Sequence, residues 1–363
     1  MSKNTPFKSG MSPLTGLRVL DFSHVIAGPF ATLYLAQLGA EVTKVEKPGG
    51  GDVMRASDKG AYQFAAFNAG KTCVEIDIKS DAGRQQALNL AKNCDVLVDN
   101  FRPGALERAG LGYAEVKKIN PQLIYCSISG YGTHHAPWKH RGAYDHVIQA
   151  ATGMAMMSGN EGEPPIKVGF PAIDVMTGVL AAFAVTAAVQ ERSRTGQGLH
   201  VDVSMWGAAL QLMYPFAVSA LATGKSPGRV GNVGYSGSPA AEYFDTQEGY
   251  IGLGANTIEQ ITKLYMLLGL TAKDAEQHLE SGSGFARARD PKAFHDLLAG
   301  ALKSRTAAQW EELLNASGIP AARVRSLAEF TSEAVFNGAL KPGVMSMGNI
   351  QIPTPGMGWT TTR

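Results

Sequence analysis

The chain has 363 residues, 45% of them hydrophobic and 18% charged, with a formal net charge of +2. That composition belongs to a folded globular protein and excludes chain-wide disorder, while a near-neutral chain with dispersed Lys and Arg excludes an extended nucleic-acid footprint. The length favours two domains over a single core.

In chain order, the leader MSKNTPFKSGMSPL lacks the apolar centre of a signal peptide. Residues 17–22 predict a buried strand, Gly28-Pro29 opens a helix that Gly39 closes, and residues 41–46 predict a second strand, together a βαβ unit. Residues 72–78 predict a strand, 81–92 a helix begun by Ser80, 91–100 the passage into another strand, and 123–128 a further one. The expected fold is α/β, a Rossmann-like doubly wound large domain, although the loop at 23–29 carries no GxGxxG fingerprint.

Beyond Ala143 come a helix over 144–157, an Ala-rich helical run over 178–188, a TGQG turn, a strand over 199–204 and a helix from Trp206. The Gly- and Pro-rich text near residue 222 predicts a boundary, giving a large domain at 1–222 and a smaller α+β domain at 223–328. The smaller domain is expected to hold strands at 243–245 and 250–253, helices at 258–268, 291–303 and 307–317, and an edge strand at 319–324. Residues 329–363, rich in Gly, Met, Pro and Thr, form a C-terminal segment returning to the large domain.

Cys73, Cys94 and Cys126 are odd in number, widely spaced and set in apolar text, as expected of reduced thiols in a cytoplasmic protein. No apolar run is expected to reach the ~20 residues that span a bilayer, so neither a membrane nor a nucleic acid is an expected partner.

Asp174 stands out chemically. It sits between Phe170, Ala172 and Ile173 on one side and Val175 and Met176 on the other, at the mouth of the Ala-rich run. It reads either as a helix N-cap or as a nucleophile, ionised at pH 7 by about three pKa units and able to attack an activated carbonyl. Lys47 before Gly49, Gly50 and Gly51, Lys71 after Asn68-Ala69-Gly70, and Arg108 after Asn100-Phe101-Arg102 all follow or precede strand ends. Each is a solvated surface charge or a contact to a phosphate-bearing ligand.

The stretches LRVLDFSHVIAGPFATLYLAQLGAEVTKVEKPGGGD, FNAGKTCVEIDIK, VDNFRPGALERAGLG, AYDHVIQAATG, PAIDVMTGVLAA and RTGQGLHVDVSM closely resemble the family III CoA-transferases, the formyl-CoA and carnitine CoA-transferase group. The same superfamily includes the α-methylacyl-CoA racemases. The resemblance implies an interlocked homodimer, acyl-CoA and a carboxylic acid such as succinate as substrates, coenzyme A bound only as part of the acyl-CoA substrate, and no metal. It implies that Asp174 is the nucleophile and that His24, Ala27, Lys47, Lys71, Asn100, Phe101, Arg108 and Met205 line the CoA site.

Gly252 and Gly254 in GLGAN resemble a glycine loop over the intermediate, which with the Asp174 helix start is expected to hold oxyanions. Arg55, Arg141 and Tyr144 are candidates to meet an acceptor carboxylate. The alternative is racemase-type proton transfer at the carbon α to a thioester, which needs a base on each face. Racemases place a His where this chain has Tyr144 before Asp145, and His146 is expected to face elsewhere. Ile26 replaces the glutamine of formyl-CoA transferases, which disfavours formate and oxalate. The chain ends at Arg363, short of a final segment that many transferases carry.

Overall fold

The computed structural model describes residues 4–7, 10–56, 60–134, 137–280, 282 and 284–362; part of the polar leader and Arg363 lie outside the described residues. Two compact units are present, one of residues 1–158, 165–227 and 340–363, the other of residues 159–164 and 228–339.

In the first unit, six short strands form one all-parallel sheet: β1 (Arg18–Asp21), β2 (Glu41–Glu46), β3 (Thr72–Glu75), β4 (Val96–Asp99), β5 (Ile124–Ser129) and β6 (His200–Ser204). Their order is β3-β2-β1-β4-β5-β6. The largely apolar text of β4 and β5 follows from this, since both strands are buried along their whole length. Val96, Val98, Ile124 and Cys126 face one apolar layer with Leu35, Ala181 and Val185, whereas Leu97 and Tyr125 face the opposite layer with Leu20, Leu111 and Val116. Because strand order reverses between β1 and β4, a crevice opens at their carboxyl ends.

The helices of this unit are α1 (Ala27–Gln37), α2 (Gly60–Asn68), α3 (Asp81–Lys92), α4 (Ala105–Arg108), α5 (Tyr113–Ile119), α6 (Asp145–Ala151), α7 (Ala172–Thr195), α8 (Met205–Leu212) and α9 (Tyr214–Thr223). Ser80 caps α3 as expected, accepting the Gly83 N–H. The helix expected over 144–157 is interrupted, because Gly153 takes a left-handed φ of 80° and only a 3₁₀ turn, Met154–Met156, follows. The strand expected over 72–78 stops at Glu75.

The helical run expected over 178–188 is a helix of 24 residues, α7, long and apolar enough to cross a membrane by length and composition. This corrects the expectation that no run is so long. In the structure α7 packs on α1 in the sheet's apolar layer, and Gly178 lets the two helices approach until an added Cβ would lie 2.8 Å from the Ala27 carbonyl oxygen.

The first unit also holds the hairpin β10 (Gly343–Met347) and β11 (Ile350–Thr354), whose Met345 and Ile352 pack on Leu33, Ala65 and Ala69. The expectation for residues 329–363 missed this hairpin, because its alternation is masked by Pro and Gly. In the second unit, β7 (Tyr243–Asp245), β8 (Tyr250–Leu253) and β9 (Ala321–Arg323) form an antiparallel sheet with β9 at its edge.

Around that sheet lie α10 (Ile258–Leu267), α11 (Ala272–His278), α12 (Pro291–Leu302), α13 (Ala307–Ala316) and α14 (Leu327–Phe336), enclosing Phe244, Ile251, Tyr265, Phe294 and Trp310. A reciprocal Ser326–Glu329 cap starts α14 and carries the second unit past residue 328, the boundary expected from composition, to Ala339.

Candidate active site

The crevice between β1 and β4 is built from two loops that hold each other. After β1, the His24 backbone is bracketed by Asn100, which follows β4: the His24 N–H donates to Asn100 Oδ1 at 2.9 Å, and Asn100 Nδ2 donates to the His24 carbonyl at 2.7 Å. Asp21, at the end of β1 and fully buried, accepts the Ser23 N–H at 2.8 Å and the Thr32 hydroxyl at 2.6 Å. Burial alone would raise its carboxyl, but Lys71 and Lys44 hold it below the usual range. These contacts shape a cleft of about 240 Å³ lined by His24, Ala27, Asn100, Phe101, Met205 and Asp174, with Arg102, Arg141 and Tyr144 also on its wall.

Asp174 is the third residue of α7, not its cap. The helix start is capped from another element: Asp145, which opens α6, accepts the N–H groups of Ile173 at 2.7 Å and Asp174 at 3.2 Å through its Oδ2. Gln149, fully buried one turn along α6, donates to Asp145 Oδ1 and accepts the Val168 N–H at 2.8 Å. The N-cap reading of Asp174 is therefore corrected, and its carboxylate is left facing the cleft.

Burial first, and the nearby Asp145 charge second, push the Asp174 carboxyl up to about 7. This corrects the expectation of a group ionised by about three units at pH 7: near neutrality it is poised between its two forms. Asp145→Asn keeps an acceptor for the Ile173 N–H but removes the like charge. It is expected to shift the pH midpoint of Asp174-dependent activity downward by about half to one unit, measured as the acid limb of kcat/KM.

The helix start cannot serve as the expected oxyanion site. The Ala172 N–H donates to Phe170 O, the Val175 N–H to Pro171 O, and the two between them to Asp145, so all four first-turn donors are taken. Gly252 lies within β8, paired to Tyr243 and Ala322, and the Gly254 N–H donates to Pro320 O at 2.8 Å. In the second unit these glycines are strand and strand end, not an open loop.

Lys47, exposed, lines a second cleft with His24 and Phe101, and Arg108 lines a third with Phe101, Lys79 and Arg84. Phe101 thus borders all three. Lys71 does not join them. Its ammonium is fully buried and donates to Asp21 Oδ2 at 3.0 Å, Pro29 O at 2.9 Å and Asn68 Oδ1 at 2.8 Å, so its three donors are used inside the protein.

Arg55 is likewise engaged, as a two-pronged partner of Glu46 at 2.9 and 2.6 Å lying over the Phe64 ring. His146 is exposed and stacks on Tyr144. Sequence reasoning passed over Lys79 and Arg84, although Lys79 lies just past a predicted strand, and Asp145, for which the i, i+4 pair with Gln149 is a weak signal. Among the described residues, no cluster of His, Cys, Asp and Glu is arranged to hold a metal ion.

Known proteins share this arrangement of sequence. The profile of CoA-transferase family III matches residues 14–353. The chain is 34% identical over 354 residues to the succinyl-CoA:glutarate CoA-transferase of Mus musculus, covering 95% of this chain and 80% of that protein. It is also 34% identical over 363 residues to the acetyl-CoA:oxalate CoA-transferase of Acetobacter aceti, covering 96% and 91%. Among solved structures, a CAIB/BAIF family protein from Brucella suis superposes with a TM-score of 0.78 at 30% identity, covering 90% of this chain and 88% of that one.

Proposed function

The chain belongs to CoA-transferase family III, and from that premise we propose that it exchanges CoA between the thioester of one carboxylic acid and a free dicarboxylic acid, with Asp174 as the covalent nucleophile. The observation that carries this reading is a cleft-facing carboxylate raised to about 7 at the start of α7, in the crevice where the two ligand loops meet. A carboxylate with that affinity for protons is a stronger nucleophile than an ordinary Asp and still ionised in a good fraction of molecules at neutral pH.

The steps balance without a redox partner. The Asp174 carboxylate attacks the thioester carbonyl, the C–S bond breaks, and CoA leaves as thiolate with a mixed anhydride formed. The thiolate then attacks the Asp174 carbonyl, releasing the donor acid as carboxylate and leaving an aspartyl thioester. The acceptor carboxylate opens that thioester to a second anhydride, and thiolate attack on the acceptor's carbonyl gives the new acyl-CoA and regenerates Asp174.

Lys79 and Arg108 supply cations suited to the nucleotide phosphates, Arg84 beside them being paired with Asp81 at 3.1 Å, and Phe101 borders both this cleft and that of Asp174.

The dicarboxylate preference is supported by Arg102 and Arg141. Both line the Asp174 cleft, and among the described residues neither has a carboxylate partner, Arg141 lying over the Trp138 ring instead. A distal carboxylate on the acid would pair with them. The two relatives above are named for glutarate and oxalate, and of these Ile26 disfavours oxalate here, which leaves the longer dicarboxylate.

The deciding experiment offers acyl-CoA donors to mono- and dicarboxylic acids of matched length, with hydroxylamine trapping and mass mapping of the adduct and α-hydrogen exchange in deuterated water run alongside. Transfer with an adduct at Asp174 is expected; exchange without transfer would replace this reading by the racemase. Arg141→Ala is expected to lower kcat/KM for the dicarboxylate by about tenfold or more and for the monocarboxylate by much less.

The interlocked homodimer is part of the same proposal. Its support is that α9, an apolar helix, buries none of its residues, with Leu221 87% exposed, and that Phe183 on α7 is 72% exposed. Light scattering on the eluted protein should return twice the chain mass; a monomer across the concentration range rejects this part.

A further inference from the structure

Val25 has φ +67°, and among the described residues it is the single non-glycine with positive φ. For a β-branched residue this is the left-handed region proper, disfavoured and kept only where surroundings over-determine it. The surroundings here are specific. The Val25 N–H points at the Asp52 carboxylate, 3.2 Å from Oδ1 and 3.1 Å from Oδ2. Asp52 is buried, and its Oδ2 lies 3.2 Å from the ammonium of Lys44, which is fully buried on β2 and donates to the Ser23 carbonyl at 2.6 Å.

Asp52 is itself pinned: its N–H donates to Glu46 at 2.9 Å, and its Oδ1 accepts the Met54 N–H at 3.1 Å. On the flanks, Asn100 brackets His24, and the Ile26 carbonyl accepts the Phe30 N–H at the head of α1.

We propose that the Lys44–Asp52 pair is a positioning latch: it forces Val25 into the left-handed conformation and so fixes residues 23–27 in the shape that receives the acyl-CoA. Lys44 and Asp52 border the second cleft and not the Asp174 cleft, whereas His24, Val25, Ile26 and Ala27 all line the Asp174 cleft. Released from Asp52, Val25 relaxes to extended backbone, and the peptides on either side of it turn away from that wall. Asp52 also ends the run Gly49–Gly51, so the latch joins the β1 loop to the β2 loop that carries Lys47, and it holds both around the second cleft. The inference rests on the acyl-CoA reading of the cleft.

The test has a structural and a kinetic arm. Hydrogen exchange on the unliganded wild-type protein should show the Val25 amide protected by about 100-fold or more over an open chain, since the bond to a buried carboxylate must break first; exchange at the open-chain rate overturns the latch. Lys44→Met/Asp52→Leu removes both charges together, so that no unpaired ion stays buried.

That variant is expected to raise KM for the acyl-CoA by about tenfold or more. Adding Val25→Gly, which sits at positive φ without strain, should bring KM back to within about threefold of wild type. A folded Lys44→Met/Asp52→Leu protein with unchanged KM, or a raised KM that Val25→Gly does not reverse, overturns the proposal; if that variant does not fold, amide exchange decides. Absence of transfer by the wild-type protein itself would reject the functional reading, while Val25 protection still stands or falls separately.

Discussion

Asp174→Asn should abolish acyl transfer and stabilise the protein at the same time. Removing the carboxylate proposed as nucleophile is expected to lower kcat by about 10³-fold or more, with Kd for a non-reactive CoA thioether little changed. The stability change follows from the raised carboxyl. A group whose folded-state pKa lies near 7, against an ordinary value of 3.8, contributes stability that is present below pH 4 and lost as pH rises through 7. The amide avoids that loss. Thermal melts of Asp174→Asn and wild type should therefore nearly coincide at pH 4 and diverge toward pH 8, the variant being more stable by ~1–2 kcal/mol once partial solvent exposure is allowed for.

The wild-type kcat/KM should rise with pH along a limb with its midpoint near 7. An Asp174→Asn protein that retains transfer, or one no more stable than wild type at pH 8, removes the basis for a poised nucleophile. Such a group is costly to the fold and useful to the reaction, which is where function and stability are expected to conflict.

Lys71→Ala should destabilise the first unit rather than weaken a ligand. Lys71 and Asp21 are both fully buried and 3.0 Å apart, and removal of the cation leaves Asp21 as an uncompensated buried charge. The expected loss is ~3–5 kcal/mol, read from urea unfolding at pH 7. Lys47→Ala, which removes an exposed cation at the rim of a cleft, should instead leave the unfolding midpoint in place and raise KM for the acyl-CoA in a salt-dependent way. Equal stability of the Lys71 variant with a raised KM would return Lys71 to the ligand site implied by the family resemblance.

Lys71, implied as a CoA contact, shows why the sequence could be misread here, and Lys44 shares its setting. Both are lysines at or beside strands near glycine-bearing loops, and charge near a strand end suggests a phosphate contact. What distinguishes them from Lys47 is burial against a carboxylate, and those partners, Asp52 and Asp21, are 8 and 50 residues away in the chain. Lys44 did carry a local hint, since it lies within EVTKVE, where an inward Lys in a buried parallel strand must be paired. Lys71 carried none. Asp174 was legible as special because a carboxylate in apolar text is improbable, but its state was not: Asp145 lies 29 residues away, and the cap it provides exists only once α6 and α7 are packed.

From the sequence alone came the alternation of strand and helix, the start of α3 at its Ser80 cap, β2, β7 and β8 at their observed ends, and the family, because each depends on residues close together in the chain or on motifs in fixed order. Only the tertiary structure decided which carboxylate caps α7 and which one faces the cleft, which lysine is scaffold, and that Val25 is held at positive φ. Local preference fixes φ and ψ over a few residues, whereas burial and charge pairing are set by groups that the chain brings together from far apart, and those are the terms that raise the Asp174 carboxyl and shape the loops around it.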